Sequence, residues 1–83
     1  MKVTFSDQAW EDYLYWQATD QKVLARIHEL IKNVRRSPFS GIGKPEPLKH
    51  AQGYWSRRIN SEHRMVYKVV EGALFLAQIR YHY

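Results

Sequence analysis

The hydrophobic pattern of this chain changes its period across a segment that can form neither a helix nor a central strand. Residues 37–53 contain all three prolines and three of the four glycines of the sequence, and proline lacks the backbone donor that both kinds of element need. Apolar residues recur every three to four positions before this segment and every second position after it. The sequence therefore predicts a helical part, a long loop and a β-sheet, folded as one domain over residues 1–83.

Residues 1–18 predict a short strand followed by a helix. Residues 2–5 alternate polar and apolar side chains as a half-buried strand does, and Ser6 is a suitable N-cap for a helix over residues 7–18. We expect the apolar stripe of this helix to consist of Trp10, Tyr13, Leu14 and Gln17, with Glu11 and Asp12 toward solvent.

A second helix over residues 21–36 has the most regular apolar spacing in the chain. Thr19 or Asp20 is expected to cap its start, and Pro38 prevents its continuation. Its buried stripe is predicted to consist of Val23, Ile27, Leu30, Ile31 and Val34. This helix should therefore supply much of the core.

The second half of the chain predicts three antiparallel strands, over residues 54–59, 64–70 and 73–81. The fold class is thus α+β in the order β-α-α-β-β-β, an antiparallel sheet with two helices packed on one face. A three-residue turn over residues 70–72 with Gly72 left-handed would direct toward the helices Met65, Tyr67, Val69, Phe75, Ala77 and Ile79. The opposite, polar face would carry Arg64, Val66, Lys68, Gln78, Arg80 and His82, with Arg58 near Arg64.

The positive charge of the chain is concentrated in its second half. The formal net charge is +5, and the residues after position 36 contribute most of it through seven Lys and Arg against three Glu. A cationic sheet face beside Tyr81 and Tyr83 suits phosphates and stacked bases, so RNA is the expected ligand. Two alternatives remain: the charge serves solubility, or it protects the sheet from aggregation.

A carboxylate, a guanidinium and an imidazole in this half suffice for metal-free cleavage of RNA. Glu46 is the only acidic residue of residues 37–53 and has a proline on each side, which holds its backbone extended. Cleavage needs a base for the 2′-hydroxyl proton, a cation for the phosphorane charge and an acid for the leaving 5′-oxygen. Glu46, Arg64 and His82 provide these groups in that order.

Each of these residues also has a purely structural interpretation. Glu46 would then form an ion pair with Lys44 or Lys49, and His82 would belong to a frayed chain end. The sequence contains no Cys, and its His and carboxylate residues show no metal-ligand spacing. We therefore expect neither a metal nor another cofactor. The lack of Cys and of a membrane-spanning apolar run favours a cytoplasmic protein with no membrane partner.

Several blocks of the sequence together resemble one family. They are residues 12–17 (DYLYWQ), 44–50 (KPEPLKH), 55–59 (WSRRI), 62–64 (EHR) and 80–83 (RYHY). In these blocks the chain resembles the YoeB toxins of bacterial toxin–antitoxin systems, within the wider RelE-like group, and the resemblance covers essentially the whole chain.

The resemblance implies a RelE-like fold and a ribosome-dependent endoribonuclease that cuts messenger RNA in the decoding site and arrests translation. It implies a metal-free mechanism with Glu46 as general base, His82 as general acid, Arg64 as phosphate stabiliser and Tyr83 as a terminal residue that orients the substrate. Binding or supporting roles fall on Lys44, Lys49, Arg57, Arg58, Glu62 and Arg80.

The resemblance also implies partners. These are a YefM-like antitoxin, the ribosome with its message, a second copy of the chain, and operator DNA only through the antitoxin complex. Two departures from the family pattern are visible: Ile42 replaces a basic residue, and residues 51–53 are one residue short. The alternatives are a noncatalytic RNA- or ribosome-binding module and a toxin of the same fold that acts on a DNA topoisomerase such as gyrase.

Overall fold

Seven elements form in the computed structural model, which describes residues 1–81. In chain order they are β1 (Lys2–Phe5), α1 (Asp7–Thr19), α2 (Gln21–Arg36), β2 (Glu46–Pro47), β3 (Trp55–Arg58), β4 (Arg64–Val70) and β5 (Ala73–Gln78). No helix among residues 1–81 is long and apolar enough to cross a membrane.

Both helices begin at the capping residues that the sequence predicts. The Ser6 hydroxyl accepts a hydrogen bond from the Ala9 amide (2.9 Å) and donates one to the Ala77 carbonyl (2.6 Å), which ties the start of α1 to the end of β5. Of the two alternatives for α2, the Asp20 carboxylate is the cap, and it accepts from two amides of the first turn. The predicted helices are confirmed, with α1 ending one residue later, at Thr19.

The buried side of α1 differs from the apolar stripe that we expected. Trp10 and Leu14 are 48% and 38% exposed, whereas α1 buries Ala9, Asp12 and Trp16. Asp12 was expected in solvent, but one carboxylate oxygen accepts a hydrogen bond from the Ile79 amide (3.0 Å). A buried backbone donor needs a partner, and this requirement outweighs the hydrophobic periodicity of α1.

The sheet has the strand order β1-β5-β4-β3-β2 and is mixed rather than antiparallel. The α+β class is confirmed, but β1 pairs with β5 in parallel, so the antiparallel arrangement was wrong for this pair. Short turns force neighbouring strands to be antiparallel, whereas no turn joins β1 to β5 and fixes their relative direction. The loop over residues 37–53 also contains a short edge strand, β2, which pairs with β3.

The β4–β5 turn has two residues instead of the three that we expected. Glu71 and Gly72 both have positive φ, as a type I′ turn requires, and Val70 pairs with Ala73. Leu74 and Leu76, rather than Phe75 and Ala77, therefore face the helices. A bulge then shifts the register, because Tyr67 pairs with Leu76 while Val66 pairs with Gln78. This shift returns Ile79 to the core, as predicted.

The core fills the space between the two helices and one face of the sheet. It includes Ile27, Leu30 and Val34 of α2 and Met65, Tyr67, Leu74 and Leu76 of the sheet, all at 0% exposure. Within residues 1–81 no helix covers the other face of the sheet, which we call the open face.

Candidate active site

Three neighbouring strands bring two of the predicted catalytic residues, Glu46 and Arg64, to the open face. Glu46 of β2 pairs with Ser56 of β3, and Arg58 of β3 pairs with Arg64 of β4. Paired residues of antiparallel strands share a face, and so do residues two apart on one strand. All four side chains therefore lie on the open face, and the predicted proximity of Arg58 and Arg64 is confirmed.

Ser56 lies between the carboxylate-bearing strand and the guanidinium. Its hydroxyl accepts a hydrogen bond from Arg64 Nη1 (3.3 Å), and its backbone pairs with Glu46. Ser56 and Val66 beside it are 0% and 5% exposed, so they form a closed floor. The Arg64 side chain is half-buried above this floor, and its guanidinium carries further N–H donors besides the one bonded to Ser56.

Glu46 carries an exposed carboxylate that no Lys or Arg of residues 1–81 pairs with. The one ion pair among these residues joins Arg26 and Glu29 (2.9 Å), so the alternative of an ion pair between Glu46 and Lys44 or Lys49 is not formed. Both lysines are exposed as well. Pairing of β2 with β3 fixes the backbone that carries this carboxylate.

Arg57 holds the loop that carries Glu46. Its side chain is 0% exposed and points to the helix side of the sheet, opposite to its neighbour Arg58. The guanidinium donates hydrogen bonds to Asn33 Oδ1 (2.5 Å), Ile42 O (3.0 Å), Ser37 O (2.6 Å), Ser40 O (2.8 Å) and the Tyr67 hydroxyl (3.2 Å). We call Arg57 with these acceptors the Arg57 cradle. A contact of Arg57 with RNA does not fit this burial, whereas the alternative, supporting role does.

The cradle also depends on two glycines and on Tyr67. Gly41 and Gly43 have φ of 115° and 80°, and a Cβ on Gly43 would approach Leu30 to 2.9 Å. Tyr67 donates its hydroxyl to the Pro38 carbonyl (2.7 Å). Burial raises the pKa of Tyr67 above its ordinary value, while the hydrogen bond and charge of Arg57 oppose this rise. Residues 37–43 are therefore anchored to the interior through Arg57 and Tyr67, although no residue of the loop over residues 37–53 is itself buried.

Residues 79–81, which we call the terminal arm, lead to the predicted general acid by a different set of contacts. The Ile79 amide donates to buried Asp12, and the Tyr81 amide donates to His63 Nδ1 (2.7 Å). The Tyr81 carbonyl accepts from the Arg64 amide (3.1 Å), so the described chain ends beside Arg64. His82 and Tyr83 lie outside the described residues.

Arg80 is not on the open face, where the sequence placed it. Strand β5 ends at Gln78, and Arg80 turns toward α1 with its guanidinium carbon 3.4 Å from the centre of the Tyr15 ring. The Tyr81 ring lies on it at 4.6 Å. Its Nε is buried and has no hydrogen-bond partner among residues 1–81. Stacking between two rings fixes the direction of this side chain.

The remaining predicted residues surround the site at its rim. Arg58 is exposed, and its amide donates to the Gly43 carbonyl (2.7 Å), which joins the loop to β3. Glu62 is exposed in the turn before β4, where Asn60 Oδ1 accepts from its amide. Among residues 1–81 no three His, Cys, Asp or Glu side chains are placed to hold a metal ion.

Sequence reasoning missed three residues that organise this site: Ser56, Asp12 and His63. Ser56 has a recognisable signal, since a small polar residue alternates with large ones in β3. Asp12 and His63 have none, because each acts on a backbone amide of the terminal arm that lies far away in the sequence.

Comparisons with known proteins agree on one family. The model of the YoeB-like toxins of bacterial type II toxin–antitoxin systems matches residues 5–83. The chain is 57% identical to the toxin YoeB of Escherichia coli over the full length of both. Among solved structures it is similar to a YoeB/ParE toxin from Agrobacterium tumefaciens, with 50% identity, full coverage of both chains and a TM-score of 0.96. It is also similar to the Staphylococcus aureus YoeB in a YoeB–YefM complex, with 48% identity, coverage of 100% and 98% and a TM-score of 0.92.

Proposed function

Because the chain belongs to the YoeB-like toxins of bacterial type II toxin–antitoxin systems, we propose that it is an endoribonuclease that cuts messenger RNA in the ribosomal decoding site and so inhibits translation. One observation carries this proposal. A carboxylate without an ion pair among residues 1–81, Glu46, and a half-buried guanidinium, Arg64, lie on either side of Ser56 on one open sheet face.

The reaction needs no co-reactant beyond the RNA itself. Glu46 removes the proton of a 2′-hydroxyl, and the 2′-oxygen forms a bond to the adjacent phosphorus. The bond from phosphorus to the 5′-oxygen breaks, and His82 donates the proton that this oxygen takes up. The products are a 2′,3′-cyclic phosphate and a 5′-hydroxyl end. Each positioned proton transfer contributes about 10²–10⁴-fold to the rate.

Arg64 supports the step in which negative charge accumulates on the phosphoryl oxygens. A guanidinium fixed in advance stabilises that charge without reorganising during the reaction, an effect of about 3–4 kcal/mol for one donor. Its hydrogen bond to Ser56 leaves other N–H donors free for the phosphoryl group. We assign Tyr83 to orienting the substrate, as the family resemblance implies.

Exposed cations around the site bind the strand that is cut. Lys44, Lys49 and Arg58 are exposed and, within residues 1–81, have no carboxylate partner. Each phosphate contact of this kind releases counterions, so binding should weaken as salt rises. The negative charge of Glu62 at the rim partly offsets the positive charge of Arg58 and Arg64.

We further propose that a YefM-like antitoxin neutralises this chain and that the chain forms a homodimer. The Staphylococcus aureus relatives support both, since one was solved as a YoeB dimer and another as a YoeB–YefM complex. Operator DNA would be contacted only through the antitoxin complex, and a ribosomal target places the toxin in the cytoplasm.

The test is cleavage of a message on translating ribosomes by wild type, Glu46→Gln and Glu71→Gln. Glu71 is an exposed carboxylate in the β4–β5 turn, so its variant makes the same chemical change outside the site. We expect Glu46→Gln to cleave about 10²–10⁴-fold more slowly and Glu71→Gln to cleave as wild type does. Equal rates for all three proteins, or an intact message with wild type, would overturn the proposal.

A noncatalytic RNA-binding module is the second candidate, because the cations of the open face would bind RNA without cutting it. The two functions separate in the Glu46→Gln variant. An enzyme loses translational inhibition together with cleavage, whereas a binding module inhibits translation as strongly as wild type does.

A further inference from the structure

Two neighbouring residues hold both polar backbone groups of Tyr81, the last described residue of the terminal arm. The Tyr81 amide donates a hydrogen bond to His63 Nδ1 (2.7 Å), and the Tyr81 carbonyl accepts one from the Arg64 amide (3.1 Å). The first bond fixes the peptide plane that enters Tyr81, and the second fixes the plane that leaves it. Together they determine both backbone dihedrals of Tyr81, and therefore the direction in which the chain leaves this residue.

The backbone of Tyr81 has a conformation that needs such support. Its φ is 66°, in the left-handed region that bulky residues seldom occupy. A conformation of this kind persists only where the surrounding structure imposes it. Because each of the two hydrogen bonds fixes one peptide plane, the loss of either one allows Tyr81 to return to an ordinary conformation.

The bond to His63 requires one particular form of the imidazole ring. A neutral ring accepts at the nitrogen that carries no proton, so the ring proton is on Nε2, and a charged ring has no acceptor at all. Within residues 1–81 this is the one hydrogen bond of the ring. Its other close contact is with Trp16, edge to face, with ring centres 4.8 Å apart. The single acceptor of the ring is therefore used for the terminal arm.

The His63 ring lies away from the strand that is cut. Its neighbour Trp16 belongs to α1 and is buried, which places the imidazole on the helix side of the sheet. The side chain of Arg64, the next residue, lies on the open face beside Ser56. His63 therefore does not touch the RNA, and it reaches the reaction through the backbone of Tyr81.

We propose that His63 is a positioning residue for the general acid. As a neutral ring with its proton on Nε2, it holds Tyr81 in the left-handed conformation from which the chain leads to His82. This inference rests on the proposed function, which assigns proton donation to His82. It also gives residues 63–64 a double role, since this segment supplies the phosphate stabiliser and both hydrogen bonds that orient Tyr81. The acid is thereby placed relative to Arg64.

Three substitutions separate the acceptor of His63 from its ring. His63→Asn places an oxygen as many bonds from the backbone as Nδ1 is, so it can accept from the Tyr81 amide, but it has no ring. His63→Gln carries the same amide group one methylene further out, where it does not meet that donor. His63→Phe keeps a ring against Trp16 and has no acceptor. His28→Phe is the control, because His28 is exposed on α2 and outside the site.

The first measurement is the rate of message cleavage on translating ribosomes at several toxin concentrations. We expect His63→Phe and His63→Gln to lower the maximal rate about ten- to a hundredfold, because a small displacement of a reacting group is costly. The toxin concentration that gives half the maximal rate should stay the same, since His63 does not touch the RNA. His63→Asn should recover most of the lost rate, and His28→Phe should cleave as wild type does.

Urea denaturation of the same proteins distinguishes positioning from a merely structural role. His63→Phe keeps the packing against Trp16, so it should be at least as stable as His63→Asn. If the ring served stability alone, the cleavage rates would follow this order and His63→Phe would be the faster of the two. The inference requires the opposite order of rates.

Nuclear magnetic resonance measures the contact without any cleavage. The nitrogen chemical shifts of the His63 ring should show a proton on Nε2 and none on Nδ1. Hydrogen exchange of the Tyr81 amide should be slower in wild type and His63→Asn than in His63→Phe, because the first two proteins retain an acceptor for it.

The outcomes separate this inference from the proposed function. If wild type cleaves messages but His63→Asn is no faster than His63→Phe, the inference is wrong and the proposed function stands. If wild type cleaves nothing, the proposed function fails, and the Tyr81 amide still decides whether His63 fixes the arm. Equal exchange in His63→Asn and His63→Phe, or a ring proton on Nδ1, overturns that role, whereas faster exchange in His63→Phe alone supports it.

Discussion

The two halves of the candidate site are held in different ways. The Arg57 cradle fixes the loop that carries Glu46 through five hydrogen bonds from a guanidinium with 0% exposure. The terminal arm reaches the interior only at Ile79, whose carbonyl accepts a hydrogen bond from buried Trp16 Nε1 (2.8 Å) and whose amide donates to buried Asp12. Residues 80 and 81 are held by the Arg64 amide, His63 and Tyr15, none of which is buried. The loop before Glu46 is therefore anchored to a buried guanidinium, whereas the last residues before the predicted acid have only peripheral contacts.

This difference has a functional consequence. Hydrogen bonds to a buried charged group are strong, so the segment of residues 37–42 that Arg57 binds should resist displacement. Contacts at exposed positions are weaker and can be exchanged for others at small cost. A partner that neutralises this toxin would therefore displace residues 80 and 81 at a lower cost than it would displace the loop.

The largest expected effect comes from breaking the Arg57 cradle with Arg57→Lys. Lysine keeps the charge but offers three donors from one atom, so at least two buried acceptors lose their partner. We expect the free energy of unfolding to fall by about 3–5 kcal/mol. A chain of this size has roughly 4–12 kcal/mol in total, so the variant should lose a large part of its stability. Urea denaturation measures the effect.

Arg58→Lys is the matched control for this variant, because the neighbouring side chain is exposed on the opposite face. It should change the free energy of unfolding by less than about 0.5 kcal/mol. Equal losses in the two variants would contradict the assignment of Arg57 to the interior.

The next effect in size tests the buried contact of the terminal arm with Asp12→Asn. The Asp12 carboxylate accepts from both the Ile79 amide and Gln8 Nε2, whereas an asparagine presents one donor group where an acceptor is needed. We expect a loss of about 1–3 kcal/mol in the free energy of unfolding and slower cleavage, since the arm shifts. Glu11→Gln, at an exposed neighbour on α1, should leave both unchanged. Retention of full stability by Asp12→Asn would show that the contact is dispensable.

The sequence predicted where the helices and strands lie more accurately than which of their faces are buried. Capping residues and hydrophobic period located both helices, because these signals depend on residues a few positions apart. The burial of Asp12 and the direction of β1 depend instead on contacts between distant segments. No local pattern contains that information.

The same limit applies to the site. Alternation along β3 places Arg57 and Arg58 on opposite faces, and the expected pairing with β4 placed Arg58 beside Arg64 on the open face. The burial of Arg57 among five acceptors had no local signal, because these acceptors lie far away in the sequence. The pairing of Glu46 with Ser56 was not predicted either, since Glu46 lies in the segment that was predicted to be a loop. The roles of His82 and Tyr83 stay predictions.

A smaller effect tests the contribution of Tyr67 to the Arg57 cradle through the pH dependence of stability. Tyr67→Phe removes the hydrogen bond to the Pro38 carbonyl, so we expect a loss of about 0.5–1.5 kcal/mol at neutral pH. Burial raises the pKa of Tyr67, so the folded protein keeps this proton where the unfolded chain loses it. Its contribution to stability is complete below about pH 10, the ordinary tyrosine value, and declines as pH rises through the folded value.

The measurement is urea denaturation of both proteins at pH 7 and above pH 10. Wild type should lose more stability than Tyr67→Phe over this interval, so that the difference between them shrinks. A difference that stays constant with pH would mean that the Tyr67 hydroxyl is not buried in the cradle.

The smallest expected effect on stability comes from the outermost contact of the terminal arm. Its removal should lower stability only slightly but reduce activity strongly. Tyr15→Leu removes the ring on which Arg80 stacks, an interaction of about 0.5–1 kcal/mol at a partly exposed site. Cleavage on ribosomes should nevertheless fall about ten- to a hundredfold, because small displacements of a reacting group are costly. Trp10→Leu removes an exposed ring from the same helix and should cleave as wild type does. If Tyr15→Leu instead destabilises the protein as strongly as Arg57→Lys does, the terminal arm is as much a part of the interior as the cradle, and the two halves of the site do not differ in the way argued above.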